Sequence, residues 1–306
     1  MSYREREAQR DQSNREELVE RMARGIPHDG RVEPFKGLFL ARSSTPTEAV
    51  FGVVEPSVCF IAQGSKEMRL GKKRYQYDAH NYLVACLELP VALRVLEASK
   101  EQPYLGLRLN LDPALVGSVL VELGISPQKQ ADAQAIDVSR LDSSLLDAVL
   151  RLVRLLDSPS EARLLMPLIT REIVYRLLVG EQGERLRRMT LLGGQTHRIA
   201  QAVEKIYRDF SQPMRVEELA RDIGMSVSSF HFHFKAVTAM SPLQFQKQLR
   251  LREARRLMLG EHIDAATAGF RVGYDDASHF NRDYKRLFGT PPMRDVERLR
   301  QAVEPA

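Results

Sequence analysis

The chain has 306 residues, 28% of them charged, with a net charge of +5 and an isoelectric point near 9.2. That length is enough for two domains with cores of their own, and the mild positive excess suits an anionic partner without demanding one. No apolar run reaches the length of a membrane span, and the opening Tyr3-Arg-Glu-Arg-Glu-Ala-Gln-Arg-Asp11 is too charged for a signal peptide, so a cytoplasmic protein with no membrane partner is expected.

Residues 1–30 form a charged N-terminal tail, as a helix or a loose segment, with no assigned function. From 31 to 112 the periodicity is that of strands. Short runs over 37–42, 57–62, 66–70, 73–77, 82–86, 92–96 and 104–109 are separated by Gly, Pro, Asp or Asn, a pattern of sandwiches and small barrels. Gly71-Lys72 between Leu70 and Tyr75 reads as a hairpin turn.

The same region holds both cysteines, Cys59 and Cys86, each on a predicted strand. Small buried hydrophobes are the ordinary reading; an effector- or redox-sensing thiol is the sharper one and requires an accessible thiolate. A metal-dependent enzyme needs several imidazoles and a carboxylate around one ion, and this region offers only His28 and His80, while His231 and His233 diverge on a helix. No metal site, no cofactor and no catalytic residues are therefore expected.

Residues 113–184 turn helical. Asp112 caps a helix with Pro113 at its first position and Gly124 at its end, and two broad apolar helices follow over 141–156 and 160–179, meeting at Pro159. Their apolar stripes suit packing on the strand region, with surplus for a homodimer. A polar loop spans 126–135. Charge and Gly193-Gly194 mark a linker over 185–194, and Gln195 or Thr196 opens the last domain, 195–306.

Within that domain one helical unit is written twice. Leu219, Ala220 and Ile223 lead to Gly224, then Ser226 and a helix burying Phe230 and Phe234; Ala268 and Val272 lead to Gly273, then Asp275 or Asp276 and a helix burying Phe280 and Tyr284. Helix, glycine turn and capped helix make a helix-turn-helix, here in tandem. On the second helices, Ser228, Ser229, His231 and Phe232, then Ser278, His279, Asn281 and Arg282, remain to read base edges. Lys235, Arg250 and Lys285 are expected on phosphates. The helix from Pro242 to Leu259, with Lys247, Arg252, Arg255 and Arg256 as further cations, holds the two reading helices at the ~34 Å spacing of successive major grooves.

The tandem unit, its Gly273-Tyr274 to Tyr284-Lys285 half and the closing Phe288-Gly-Thr-Pro-Pro292 resemble the DNA-binding domain of the AraC/XylS family of bacterial regulators. Cys59-Phe-Ile-Ala-Gln-Gly-Ser-Lys66, Tyr77-Asp-Ala-His-Asn-Tyr-Leu-Val84, Leu89-Pro90 and Tyr104-Leu-Gly-Leu-Arg-Leu-Asn-Leu-Asp112 resemble the cupin-like sensing domain of one branch. The resemblance implies an α+β chain: an N-terminal cupin-like β-barrel with a helical segment, then a C-terminal all-α tandem helix-turn-helix domain. It implies an effector-responsive activator, binding double-stranded DNA, RNA polymerase and a small-molecule effector as a homodimer. Relatives of this kind include regulators of aldehyde-reductase genes. The chain departs from the family at Phe232, where many relatives carry a polar residue, and at Gly269, where alanine is usual. The first departure weakens the expectation of base reading by its helix; the second predicts a helix softer by ~1 kcal/mol. An architectural DNA binder without an effector, or a metal-dependent cupin enzyme, are the rival readings.

Overall fold

A computed structural model describes residues 3–124, 135–190 and 195–301, in two compact units divided between His197 and Arg198. The polar loop expected from 126 and the Gly193-Gly194 linker lie outside the described residues.

The first unit opens with α1 (Tyr3–Gly25). The charged stretch is a helix, and Leu18, Met22 and then Ile26, four apart, are buried in the core. Nine strands follow: β1 (Gly30–Phe35), β2 (Leu38–Ser43), β3 (Val50–Val54), β4 (Ser57–Gln63), β5 (Ser65–Leu70), β6 (Lys73–Asp78), β7 (Asn81–Ala85), β8 (Leu89–Glu97) and β9 (Tyr104–Asn110). All seven predicted runs are strands. The β5–β6 hairpin pairs Leu70 with Lys73 across Gly71 at φ +59, as the Gly71-Lys72 turn requires.

Beyond β9 come α2 (Pro113–Glu122), β10 (Ile136–Arg140), α3 (Ser143–Arg154), α4 (Pro159–Val179) and α5 (Gly183–Thr190). Asp112 accepts from the Ala114 amide, so the predicted cap is present. Two expectations change here. Residues 113–184 are not helical throughout, because Ile136–Arg140 pairs along β7 and supplies an edge strand. The start of the expected linker, 185–190, is helical in α5, with Leu186 buried in the core.

The strands do not close into a barrel. They form a six-stranded sheet in the order β1-β2-β9-β4-β7-β10 and a four-stranded sheet in the order β3-β8-β5-β6. Alternation sorts the side chains of the larger sheet. Leu38, Leu40, Val58, Phe60, Tyr82, Val84, Cys86, Leu105 and Leu107 join α1, α3 and α4 in one core. The other parity, Phe39, Cys59, Ile61, Tyr104 and Arg108, is turned toward the smaller sheet. The smaller sheet answers with Lys66, Met68, Leu70, Tyr77, Val91 and Val95.

The second unit begins within α6 (Gln195–Arg208) and continues through α7 (Val216–Asp222), α8 (Val227–Thr238), α9 (Pro242–Gly260), α10 (Ala265–Arg271), α11 (Ala277–Phe288) and α12 (Pro292–Gln301). It is all helical. Ser241 and Gln244 form a capping box with Pro242 at the first position, so α9 starts sharply. Its Phe245 meets Phe234 edge-on at 5.5 Å, while Leu251, Ala254, Leu257 and Met258 pack with Phe280 and Tyr284. One helix thus carries two small cores.

Candidate nucleic-acid interface

The two turns are built alike. In the first, Gly224 (φ +67) lets the Met225 amide reach the Ala220 carbonyl at 2.9 Å, and Ser226 caps α8 by accepting from the Ser229 amide. In the second, Gly273 (φ +91) lets the Tyr274 amide reach the Gly269 carbonyl at 3.0 Å, and Asp276, one of two expected caps, accepts from the His279 amide at 2.6 Å. Both endings have the six-to-one bond of the Schellman motif, which needs a left-handed residue.

The buried faces are as predicted. Phe230, Phe234, Phe280 and Tyr284 are wholly inaccessible to solvent. On the opposite faces Ser228, His231, Phe232 and Lys235 of α8 are exposed, with Ser229 half-buried, and Ser278, His279, Asn281, Arg282 and Lys285 of α11 are exposed. Asn281 and Arg282 spend no side-chain hydrogen bond within the described residues, which leaves an amide and a guanidinium free for a ligand. His279 is less free: its Nε2 lies 3.2 Å from Asp283 Oδ2 and its ring stands edge-on to Tyr274. Phe232 is 69% exposed, a large apolar group held in water.

Arg250 is a correction. Expected on phosphate, it instead donates to the carbonyls of Phe210 at 2.7 Å, Gly273 at 2.6 Å, Ser211 at 3.2 Å and Gln212 at 2.9 Å. Its neighbours on α9 are also committed within the unit. Lys247 pairs with Asp283 at 2.8 Å, Arg255 with Asp295 at 2.8 Å and Arg256 with Glu253 at 2.7 Å; burial pulls Arg252 down to about 10. The basic helix is a scaffold whose charges hold the unit together.

Asp283 was missed in the sequence. Nearly buried on α11, it receives Lys247, His279, Arg286 and the Tyr274 hydroxyl, and so braces α11 from behind. The available signal was a lone carboxylate amid Arg282, Lys285 and Arg286.

In the first unit both cysteines are buried, unbridged thiols. Cys86 joins the core under the helices, where burial pushes its thiol up to about 12. Burial also raises Cys59, which faces the smaller sheet. Neither is an accessible thiolate, which a sensing thiol requires. Among the described residues no three His, Cys, Asp or Glu side chains gather as a metal site, and no helix is long and apolar enough to cross a membrane.

Comparison with known families bears on both units. Residues 34–185 match the family described as AraC-type transcriptional regulator N-terminus, and residues 219–298 match the helix-turn-helix domain. The chain belongs to the AraC/XylS family. Among its curated relatives is the HTH-type transcriptional activator RhaS of Salmonella schwarzengrund, 27% identical over 168 residues, 54% of this chain. The chain spans 58% of the length of that relative. Among solved structures, an apo variant of ToxT from Vibrio cholerae aligns over 85% of this chain and 97% of its own, with a TM-score of 0.52 at 9% identity. That likeness is one of fold alone.

Proposed function

We propose that the chain is a sequence-specific, DNA-binding transcription regulator of the cytoplasm that answers to a small-molecule effector. The observation that carries this reading is the pair of identically built turns, each ending in a capped helix whose free face bears hydrogen-bonding side chains. Ser228, Ser229, His231 and Phe232 of α8, and Ser278, His279, Asn281 and Arg282 of α11, read bases, while Lys235 and Lys285 meet phosphate. The RhaS name favours activation, and with it RNA polymerase as a partner.

The effector domain works as a homodimer in this reading. On α4, Leu164, Leu168, Tyr175 and Val179 are 74%, 64%, 44% and 52% exposed, and their spacing of four, seven and four puts them on one stripe. A second copy supplies an apolar partner for it, and a closed pair presents two reading units to paired sites. Leu168→Glu is expected to shift the protein from dimer to monomer in analytical ultracentrifugation.

Selection of DNA from a random pool by the full chain tests the central claim. A motif with two elements about one helical turn apart supports it, and Arg282→Ala then costs ~1 to 3 kcal/mol at one base position. Binding that ignores sequence and fades uniformly with salt points to an architectural binder instead.

A further inference from the structure

The β5–β6 hairpin and the outer face of the smaller sheet gather cations on the solvent side of the first unit. Along β5 the alternation buries Met68 and Leu70 and turns Glu67 and Arg69 outward. Arg74 of β6 stands directly opposite Arg69, and Arg94 of β8 directly opposite Glu67. Lys72 and Lys73 come at the hairpin turn. Arg69, Lys72, Lys73, Arg74 and Arg94 are all exposed.

Among the described residues none of these five cations has an ion pair or a side-chain hydrogen bond. Glu67 accepts from the Gln76 side chain at 3.4 Å, and Asp78, at the open end of the hairpin, accepts from the His80 amide at 2.8 Å and the Asn81 side chain at 2.9 Å. Elsewhere in the same unit arginines are matched: Arg151 and Arg176 each meet Glu172 at 2.7 Å, and Arg154 meets Glu17 at 2.7 Å. Like charges directly opposite on antiparallel strands repel, so the Arg69–Arg74 pair works against the sheet that holds it.

Protection of a sheet edge accounts for part of this pattern only. β6 is an edge strand, and charged side chains such as Lys73 and Arg74 discourage its pairing with another chain. β5 and β8 lie inside the sheet, where Arg69 and Arg94 have no edge to guard. The shared feature is positive charge without carboxylates, spread over three neighbouring strands spaced about 4.8 Å apart. An anion with closely repeated charges matches such a patch, and double-stranded DNA presents one charge per ~1.7 Å of its axis. The second unit also leaves phosphate unclaimed, because Lys247, Arg250, Arg255 and Arg256 of α9 are spent on their own unit. Electrostatic affinity for DNA therefore has to draw on other cations.

We propose that the hairpin patch is a second DNA contact, in which Arg69, Lys72, Lys73, Arg74 and Arg94 neutralise backbone phosphates flanking the bases met by α8 and α11. The contact ignores sequence, since phosphate carries none. This rests on the DNA-binding reading above and gives the first unit a share in it. Both units belong to one chain, so a patch too weak to hold DNA alone acts at high effective concentration once the reading helices are seated.

The test is binding of the full chain to a fluorescent duplex of arbitrary sequence, about 60 bp long, across a salt series. Lys72→Gln with Lys73→Gln, and separately Arg69→Gln with Arg74→Gln, each lower the slope of log affinity against log salt by about 2 and weaken binding at least tenfold at physiological salt. Arg69→Lys with Arg74→Lys retains the slope, because the charges stay. Lys36→Gln with Lys100→Gln makes an equal change in net charge away from the hairpin and leaves the slope intact. Neither hairpin variant unfolds earlier in urea, and the Arg69–Arg74 one gains from the relieved repulsion. An unchanged slope in both hairpin variants, a fall only in a variant that unfolds earlier, or an equal fall in the Lys36–Lys100 control would each overturn the proposal. So would hairpin-dependent binding to phosphatidylserine vesicles with the DNA slope unmoved, which would make the surface a lipid contact. The duplex needs no operator. A chain that selects a DNA motif while its slope ignores the hairpin loses this surface alone. A chain whose slope follows the hairpin but which selects no motif loses the sequence-specific reading and keeps the surface.

Discussion

Arg250 donates to the carbonyl of Gly273 at 2.6 Å, so the central helix of the DNA-binding unit grips the very turn that sets its second reading helix. The same guanidinium takes up the carbonyls of Phe210, Ser211 and Gln212. Arg250→Ala leaves four carbonyls short of a donor and is expected to cost about 2 to 3 kcal/mol in denaturant unfolding. Its loss of DNA affinity follows from that instability. A variant of unchanged stability whose salt slope drops by ~1 would return Arg250 to the phosphate role.

The two turn glycines are equivalent in sequence but not in their surroundings. A methyl group on Gly273 would lie 2.0 Å from the Ser211 carbonyl oxygen, whereas on Gly224 the nearest atom is the flexible Arg198 guanidinium at 3.8 Å. Gly224→Ala therefore carries only the left-handed strain of ~1 to 2 kcal/mol. Gly273→Ala adds a backbone collision and should be several kcal/mol worse, measured side by side in urea.

Phe232 reaches into solvent from the exposed face of α8; if that face meets DNA as proposed, an apolar ring has one obvious target among base edges, the thymine methyl. Once a binding site has been selected, replacing thymine by uracil at the contacted step removes that methyl alone. The expected loss is ~0.8 kcal/mol, roughly fourfold in affinity. Phe232→Ala should show the same loss on the thymine site and none further on the uracil site; full sensitivity to uracil in the variant would assign the methyl to another residue.

Glu17 on α1 is bound by Arg154 of α3 at 2.7 Å and by Arg21 at 2.6 Å, and these bonds hold its carboxyl down at about 2. A depressed carboxylate contributes stability that is present above its ordinary value of 4.5 and is lost as pH falls toward 2. The pair is well solvated, so the contribution stays under about 1 kcal/mol. Glu17→Gln should therefore be slightly less stable at pH 7, with the gap to the parent closing between pH 4.5 and 2. A gap that persists at pH 2 would mean the side chain acts through packing.

Gly269 occupies a helix position where alanine would stiffen the backbone, and the packing explains it. A methyl group there would lie 3.0 Å from Cγ of Phe280, whose ring is fully buried between Tyr274 and Tyr284. The helix is softer so that the reading helix can pack close. This constraint involves residues eleven apart in sequence and on different helices, which no local pattern reveals.

The same division runs through the whole chain. Local signals were enough for the elements that carry them: the Gly71-Lys72 hairpin, the helix at Asp112-Pro113, the paired glycine turns with their caps, and the four buried aromatics of the reading helices. These depend on neighbours within a few residues, so sequence by itself determined them, together with the tandem arrangement that points to DNA. β1, β3 and β10 lie at sheet edges, where one-sided pairing puts little hydrophobic pattern into the chain; β6, also an edge strand, is marked instead by its tight turn from β5. Whether the strands closed into a barrel was likewise a matter of long-range pairing. Charged side chains were the least legible. A stripe of arginines on a helix has the same spacing whether it faces phosphate or its own carbonyls, and only the fold brought Phe210 and Gly273 to Arg250.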